Sequence, residues 1–167
     1  AEEIAKAVGL SAPSHTFTSG LLHNVGKIVL GTFIEADGQR IIELSQREEI
    51  SFEEAEERIL GINHAEAGAV LLEQWCLPEN IIQVVRWHHR PDDFPGDPLV
   101  VDLVHVADIL GMESGFGMGL EGMRYRPSED VVERLGLRPL AAEKATCNAL
   151  SAMEELRDLF QLPSGKE

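Results

Sequence analysis

The sequence predicts an all-α fold, organised as a single bundle of six to eight helices within residues 1–162. Apolar residues recur at the three- and four-residue spacing of helices along most of the chain, and no stretch alternates strictly as a half-buried strand would. The length of 167 residues suits one domain, because domains commonly contain about 100–200 residues. Residues 163–167 are expected to form a disordered tail.

The first two helices are predicted from their apolar residues. Residues 1–9 have helical spacing, and Gly9 is a suitable stop. From about Thr16 to Ile34 the chain is apolar on nearly every side, a pattern typical of a helix at the centre of a bundle. One polar patch, residues 23–27 with the sequence HNVGK, interrupts it.

Capping signals predict the later helices. Ser51 with Glu54 forms one capping box and Asn63 with Glu66 forms another, each placing a side-chain oxygen before a helix at the spacing that accepts a backbone N–H. Further starts and stops are indicated at Gly38, Gly61, Pro78, Pro91, Pro98, Ser128 and Pro139. The glycine-rich passage 111–122 is predicted to be a loop of unusual conformation, and it lacks the lysine–serine pair of a P-loop.

The chain is strongly acidic, with 14 basic and 29 acidic residues and a net charge of −15. Nucleic acid backbones and anionic lipid surfaces are bound by clustered Lys and Arg, so both are excluded as partners. Nine acidic and two basic residues fall in residues 35–57, a net −7, whereas residues 1–27 are neutral. The acidity is therefore predicted to be a solvated face on two helices, away from the polar patch, which leaves room for one small phosphate ligand.

The cysteines and the apolar runs indicate the compartment. Cys76 and Cys147 are too few for a disulfide framework and lack zinc-type spacing, so a reducing cytoplasm is expected, with both thiols in or near the core. No apolar run reaches about 18 residues, and no charged-then-apolar leader opens the chain. The chain starts without methionine and in helical rhythm, as a piece of a longer protein would.

Histidines are placed where helices could bring them together. His23 lies in the most apolar segment, His64 opens a helix, His88 and His89 end one, and His105 lies one helical turn before Asp108. Imidazoles and carboxylates contributed by several helices commonly build metal sites inside bundles, and this mixture suits iron, manganese or zinc. Separate histidines satisfied within the core, or stabilised by a helix dipole as a terminal doublet, are the alternative explanation.

Several motifs resemble one family. Residues 20–27, GLLHNVGK, closely resemble the LLHDIGK signature of the HD superfamily of metal-dependent phosphohydrolases. The later segments are similar, in order, to the HDOD domain, the HD-related output domain of bacterial signalling proteins. They are ILGINHAEAG at 59–68, WCLP at 75–78, RWHHRP at 86–91, VHVAD at 104–108 and GFG at 115–117. The resemblance covers nearly the whole chain.

The resemblance implies an HD-type helical bundle and a set of ligands. Metal-binding relatives such as the HD-GYP phosphodiesterases have their ligands at the positions of His23, Asn24, His64, His88, His89 and Asp108. The implied cofactor is one divalent ion, namely iron, manganese or zinc, or none. Lys27 falls on the lysine that contacts substrate phosphate in those enzymes. A snorkelling lysine, or a buried partner for a carboxylate, is the alternative for Lys27.

The chain departs from the family pattern at three places. Asn24 stands where active relatives have the aspartate that binds and often bridges metals, so at most one metal is expected. The family's first ligand, a histidine or glutamate, is expected upstream of the first helix, where this chain has no residues. The GYP motif is replaced after His89 by residues 90–93, RPDD.

Three hypotheses of function remain open. The favoured one is a bacterial signal-transduction output or interaction domain that acts through protein partners and has a degenerate, non-catalytic metal site. The alternative is an active metal-dependent phosphohydrolase, a phosphodiesterase in which His23, His64, His88 and Asp108 hold the ion and Lys27 neutralises the phosphate. A receptor that binds a small phosphate or nucleotide without turnover is a third hypothesis.

Overall fold

The computed structural model describes residues 1–31, 37–116 and 126–160, and within these ranges the chain forms helices and no strands. The α-helices are α1 Glu2–Ala7, α2 Thr16–Leu22, α3 Val25–Gly31, α4 Gly38–Glu48, α5 Phe52–Leu60, α6 His64–Gln74, α7 Glu79–Trp87, α8 Leu99–Gly111, α9 Glu129–Leu135 and α10 Pro139–Leu159. A 3₁₀ turn at Pro91–Asp93 follows α7, and a π turn at Met112–Phe116 follows α8. The all-α prediction is confirmed. The described residues contain ten α-helices instead of six to eight. The number is higher because the chain breaks into short helices, such as α2 and α3, where the sequence predicts one longer helix.

Helix α8 is the central element of the core. Every residue from Val100 to Val106 is buried. On one side Leu103 and Val106 pack with residues of α1, α9 and α10, and on another Val101 and Val104 pack with Val84 of α7. Because α8 is surrounded in this way, its polar residues are held in fixed positions inside the bundle.

The single central helix predicted from Thr16 to Ile34 is wrong. The chain breaks at residues 23–24, between α2 and α3, and residues 32–36 lie outside the described ranges. Phe17, Leu21 and Ile28 are 63%, 71% and 73% exposed, while α2 buries Thr16 and Ser19 instead. The apolar character of this segment predicts a place at the centre of the bundle. That prediction fails because hydrophobicity alone does not show whether an apolar face is covered by the rest of the chain.

Helices α3 and α6 approach each other at two glycines. A Cβ on Gly26 would overlap the carbonyl oxygen of His64 and lie 2.7 Å from the backbone nitrogen of Gly68. A Cβ on Gly68 would lie 3.1 Å from the nitrogen of Gly26. The backbones can therefore touch because Gly26 has no side chain, while a side chain at Gly68 would be tight. This contact places residues 23–24 beside the start of α6.

Both predicted capping boxes are present as helix caps. The Ser51 hydroxyl accepts a hydrogen bond from the N–H of Glu54 at 3.3 Å, and the Asn63 side chain accepts one from the N–H of Glu66 at 3.0 Å. These bonds satisfy N–H groups that the first turn of a helix leaves without partners. The Asn63 cap makes His64 the first residue of α6.

Other predictions have mixed outcomes. Cys76 and Cys147 are both exposed, so the prediction that both thiols lie in or near the core is wrong. Half of the glycine-rich passage 111–122, namely residues 117–122, and the tail 163–167 lie outside the described residues. Among the described helices, none combines the length and the apolar character that crossing a membrane requires.

Candidate metal centre

The side chains predicted as metal ligands converge where the α2–α3 break meets α6, the end of α7 and α8. Two groups have ligand atoms that all lie within 4.8 Å of one another: His64 with His88 and His89, and His23 with His88 and Asp108. His88 belongs to both groups. Five residues from distant parts of the sequence are thus brought together, which is the arrangement that the family resemblance implies.

His23 presents one ring nitrogen to the carboxylate of Asp108. Its Nδ1 lies 2.8 Å from the carbonyl oxygen of Gly20 and its Nε2 lies 3.1 Å from Asp108 Oδ1. A carbonyl only accepts, so Nδ1 donates, and in the neutral ring Nε2 then carries a lone pair. This lone pair accepts a hydrogen bond from Nδ2 of Asn24 at 2.7 Å, and a metal cation between Nε2 and the carboxylate would satisfy both side chains.

His88 is fully buried at the end of α7, and it leaves one nitrogen unpaired. Its Nδ1 donates to the carbonyl oxygen of Val85 at 2.7 Å, while its Nε2 has no hydrogen-bond partner among the described residues. Burial, together with the neighbouring rings of His89, His23 and His64, holds the pKa of His88 well below its ordinary value. A neutral ring with a buried, unpaired acceptor is what a metal ligand requires.

His64 is held by a carboxylate that the sequence analysis did not include in the site. Glu56 of α5 is 2% exposed, and its Oε2 lies 2.5 Å from Nδ1 and 2.9 Å from the backbone nitrogen of His64. The prediction that residues 35–57 form a solvated acidic face away from the site is therefore wrong at Glu56. A signal was available, because Glu56 shares the helical stripe of Phe52 and Ile59 at spacings of four and three residues.

Three imidazoles have the same orientation towards the centre. In His23, His64 and His88 the Nδ1 atom faces a carbonyl or carboxylate acceptor, so the Nε2 atom is turned inward in each. Metal-bound histidines are commonly fixed in this way by an acceptor on the other ring nitrogen. The site therefore has the tautomers and the outer hydrogen bonds that a metal centre needs.

His89 completes the histidine cluster. Its Nε2 lies 2.8 Å from Nε2 of His64, and the two rings meet edge to face with centroids 4.8 Å apart. Burial, followed by the nearby His64 ring and the Lys27 charge, holds the pKa of His89 well below its ordinary value. His89 is therefore neutral at physiological pH and can offer a lone pair.

Asp108 supplies negative charge to the centre. Burial acts to raise its pKa, but the side-chain contact with His23 and the electrostatic interactions with His23, His88 and Lys27 outweigh burial and leave the pKa below its ordinary value. The carboxylate is consequently ionised. Among the six residues predicted as ligands, it is the one anionic side chain.

Asn24 lies at the centre with one amide atom unpaired. Its Nδ2 lies 2.7 Å from Nε2 of His23, and its Oδ1 is buried with no hydrogen-bond partner among the described residues. Amide oxygen and nitrogen are assigned from the hydrogen-bond network, and exchanging them would turn the oxygen towards the same centre. In either orientation Asn24 contributes a neutral group where an HD pair has a carboxylate.

Lys27 lies within electrostatic reach of the cluster. Its ammonium group is 5.9 Å from the centroid of the Phe52 ring, and its charge helps to lower the pKa values of His89 and Asp108. Lys27 is thus near the predicted ligands, as expected for a phosphate contact. That role stays a prediction.

His105 does not join the ligand groups. Its Nδ1 donates to the carbonyl oxygen of His88 at 2.7 Å, and its Nε2 accepts from the backbone N–H of Ser128 at 3.3 Å. Burial lowers the pKa of His105, although the bond to His88 opposes this effect. Both nitrogens are satisfied within the protein, so His105 supports the centre from outside.

The residues present fit one divalent metal ion. Buried lone pairs on His88 Nε2 and Asn24 Oδ1 have no partner among the described residues, and the remaining donors are imidazoles and a carboxylate. This donor set is typical of iron, manganese and zinc sites. His23, His64, His88, His89 and Asp108 could hold the ion, with Asn24 beside them.

Comparison with known proteins gives a consistent result. The family model of the HDOD domain matches residues 1–91. An uncharacterized protein of Treponema pallidum (strain Nichols) is 31% identical over 100 residues, which span 58% of this chain and 20% of that protein. The crystal structure of an HDOD domain protein of unknown function from Geobacter sulfurreducens has a TM-score of 0.62 and 25% identity, over 93% of this chain and 55% of that chain. The chain thus spans a fifth of the first relative and about half of the second.

The matched residues include most of the site. Residues 1–91 contain α1 to α7 and every predicted ligand except Asp108, which follows on α8. The match covers more than half of the chain, and the structural similarity extends over nearly all of it. The chain therefore belongs to the HDOD domain family, within the HD superfamily of metal-dependent phosphohydrolases.

Proposed function

We propose that this chain is a signal-transduction output domain that binds one divalent metal ion, does not hydrolyse phosphate esters and acts through protein partners. The observation that carries the proposal is the neutral amide of Asn24, 2.7 Å from Nε2 of His23, where an active HD pair has a carboxylate.

The charge at the centre supports one ion rather than two. Asp108 is the one anionic residue among the predicted ligands, and its negative charge offsets half of one divalent charge. A second dication nearby would add repulsion that neither the neutral imidazoles nor Asn24 can offset. Glu56 adds negative charge behind His64, but its described hydrogen bonds are to His64 and not to the centre.

When bound, the metal would act as a Lewis acid, and it would also connect the α2–α3 break, α6, α7 and α8. The protein's own residues orient the site: the carbonyl of Gly20 directs His23, Glu56 directs His64, and the carbonyl of Val85 directs His88. We infer that connecting these elements is the role of the metal in this chain. Binding would then stabilise the folded state, by an amount that grows with the logarithm of the affinity.

An exposed apolar surface supports a protein partner. Phe17, Leu21 and Ile28 are each more than 60% exposed, and they lie on the two helices that flank His23 and Asn24. Apolar side chains left uncovered on a folded domain commonly mark interaction sites. A partner bound to this surface would contact the elements that the metal connects.

The test combines metal analysis with hydrolysis assays. Elemental analysis of the purified protein is expected to find one iron, manganese or zinc ion per chain, and His64→Ala is expected to lose it. Assays with bis-p-nitrophenyl phosphate and cyclic dinucleotides, with iron or manganese added, should show no turnover. Turnover that His64→Ala abolishes would contradict the proposal.

The competing function is the metal-dependent phosphodiesterase. The placement of Lys27 favours it, because an ammonium group near the cluster is suited to neutralising a phosphate. If the wild-type protein turns over a phosphodiester, Lys27→Met should reduce turnover without changing the metal content. If the wild-type protein shows no turnover, binding of a phosphate ligand can still be measured by titrating the metal-loaded protein with a cyclic dinucleotide.

A further inference from the structure

The carbonyl group of His88 is held by a side chain from another helix. Helix α7 ends at Trp87, and the last carbonyls of a helix have no intrahelical partner. The buried His105 of α8 fills this position, donating from Nδ1 to the His88 oxygen at 2.7 Å. The main chain that carries His88 and His89 is thereby fixed to the central helix of the core.

The other nitrogen of the same ring is bonded to the start of α9. Since Nδ1 of His105 donates, Nε2 accepts, and it takes the backbone N–H of Ser128 at 3.3 Å. The Ser128 hydroxyl donates to Asp92 at 2.6 Å. His105 therefore joins the turn after α7 to the first residue before α9, through one neutral ring with both nitrogens satisfied.

Charged residues hold this arrangement in place. Arg134 of α9 donates two hydrogen bonds to the buried carboxylate of Asp102, at 2.8 and 2.9 Å, and its third nitrogen lies 2.9 Å from Asp92. Asp102 lies one helical turn before His105 on α8. A bidentate pair with a buried partner fixes the orientation of both side chains. The Arg134–Asp102 pair therefore holds α9 against α8 beside His105.

We propose that His105 is a positioning residue for the metal centre: by holding the His88 carbonyl it sets where the His88 and His89 rings point. The inference rests on the proposed metal binding. His105 acts on the main chain of a ligand and not on a ligand ring, unlike Glu56. Replacing His105 leaves every predicted ligand in the sequence. It frees the main chain at the end of α7, which carries His88 and His89.

The experiment compares His105→Leu, which cannot donate, with His105→Asn, whose side-chain N–H can take the place of Nδ1. Ile41→Ala on α4 serves as a control that destabilises the core, because Ile41 is buried on a helix that carries no predicted ligand. Affinity for cobalt is measured by the absorption of the bound ion, at a temperature where every variant is folded. Loss of an outer partner commonly weakens metal binding by about 10–100-fold, and His105→Leu is expected to fall in that range.

Two variants of Ser128 test the second bond. Ser128→Pro removes the N–H that His105 accepts, whereas Ser128→Ala keeps it and loses only the hydroxyl. The backbone φ of −54° at Ser128 already suits proline. Weaker cobalt binding in Ser128→Pro than in Ser128→Ala is expected, because an unpaired Nε2 allows the His105 ring to turn.

A second measurement separates this inference from the proposed function. In metal-free protein, imidazole ¹⁵N resonances of His88 and His89 should shift in His105→Leu and return towards wild type in His105→Asn. If the wild-type protein binds no cobalt but these shifts occur, the metal proposal fails and the positioning role stands. If cobalt affinity and the resonances are the same in His105→Leu as in Ile41→Ala, the positioning role is wrong.

Discussion

The carboxylate of Glu56 accepts two hydrogen bonds from one residue, His64: one from its backbone N–H at 2.9 Å and one from its ring Nδ1 at 2.5 Å. Both side chains are almost completely buried. The pair joins α5 to the start of α6 and fixes the His64 tautomer, so that Nε2 faces the histidine cluster. This relationship explains why an acidic residue lies inside the protein beside a site made mainly of imidazoles.

Glu56→Gln should weaken metal binding. A glutamine can still accept a hydrogen bond, but it lacks the negative charge. That charge strengthens the binding of a metal cation by the lone pair on Nε2 of His64. Affinity is expected to fall by about 10–100-fold, as for other outer partners of metal-bound histidines. The measurement is competition with a chromogenic zinc chelator. Glu57→Gln is the matched control, since Glu57 is the next residue on the same helix and is 53% exposed; an equal loss in both variants would contradict the role of Glu56.

Gly26→Ala should destabilise the protein, and it should disturb the site. The added methyl group would overlap the carbonyl oxygen of His64, and overpacking commonly costs about 1–3 kcal/mol or more. Gly31→Ala on the same helix is the control, because a Cβ there meets nothing within 4 Å and alanine favours a helix by roughly 0.5–1 kcal/mol. Urea unfolding of both variants gives the two changes in free energy. Equal stability of the two variants would show that α3 and α6 are not in backbone contact.

Asn24→Asp should increase the metal content or the affinity. A carboxylate at position 24 would give the centre a second negative charge, beside that of Asp108. It could also bridge two cations, which the amide cannot do. Elemental analysis after extensive dialysis is expected to show more metal per chain than in the wild-type protein. Unchanged metal content and affinity would mean that the identity of residue 24 does not limit the site.

The metal-free protein should lose stability as the pH falls below about 6.5. Burial is the main cause that places the pKa values of His88 and His89 well below that ordinary value in the folded state. Below it the unfolded chain binds more protons than the folded chain, so the unfolding free energy decreases with decreasing pH. The slope approaches roughly 1.4 kcal/mol per pH unit for each such histidine.

This pH dependence is measured by urea unfolding with a chelator present, at pH values from about 7.5 down to about 5.5. His89→Gln should reduce the slope, because the variant has one fewer histidine that must stay neutral in the folded state. A free energy of unfolding that stays constant or increases as the pH is lowered would contradict the assignment of neutral, buried rings.

Capping chemistry made much of the fold predictable. The Ser51 and Asn63 caps depend on residues three positions apart, so the sequence alone indicates where α5 and α6 begin. The metal-ligand set is implied by the resemblance of the ordered motifs to the HDOD domain, whereas the spacing of the histidines alone leaves separate core histidines as an alternative. Local spacing was sufficient wherever local hydrogen bonds decide the structure.

Long-range packing decided what the sequence analysis missed. The sequence predicts Glu56 to be one of many surface acids, because its partner His64 lies beside it only when α5 folds against α6. The sequence predicts Phe17 and Ile28 to lie in the core, because hydrophobicity is the same for a covered and an uncovered side chain. The contact between His105 and the His88 carbonyl joins residues 17 positions apart and has no sequence signature.

The most direct test of the proposed single-metal centre is the metal content of wild-type protein and of His88→Ala, measured by elemental analysis after dialysis against a weak chelator. His88 belongs to both groups of candidate ligands, and its Nε2 is buried without a partner among the described residues. We predict one divalent ion per chain in the wild-type protein and almost none in the variant, with both proteins folded. Two ions per chain, or a variant that keeps the wild-type content, would contradict a single metal held at His88.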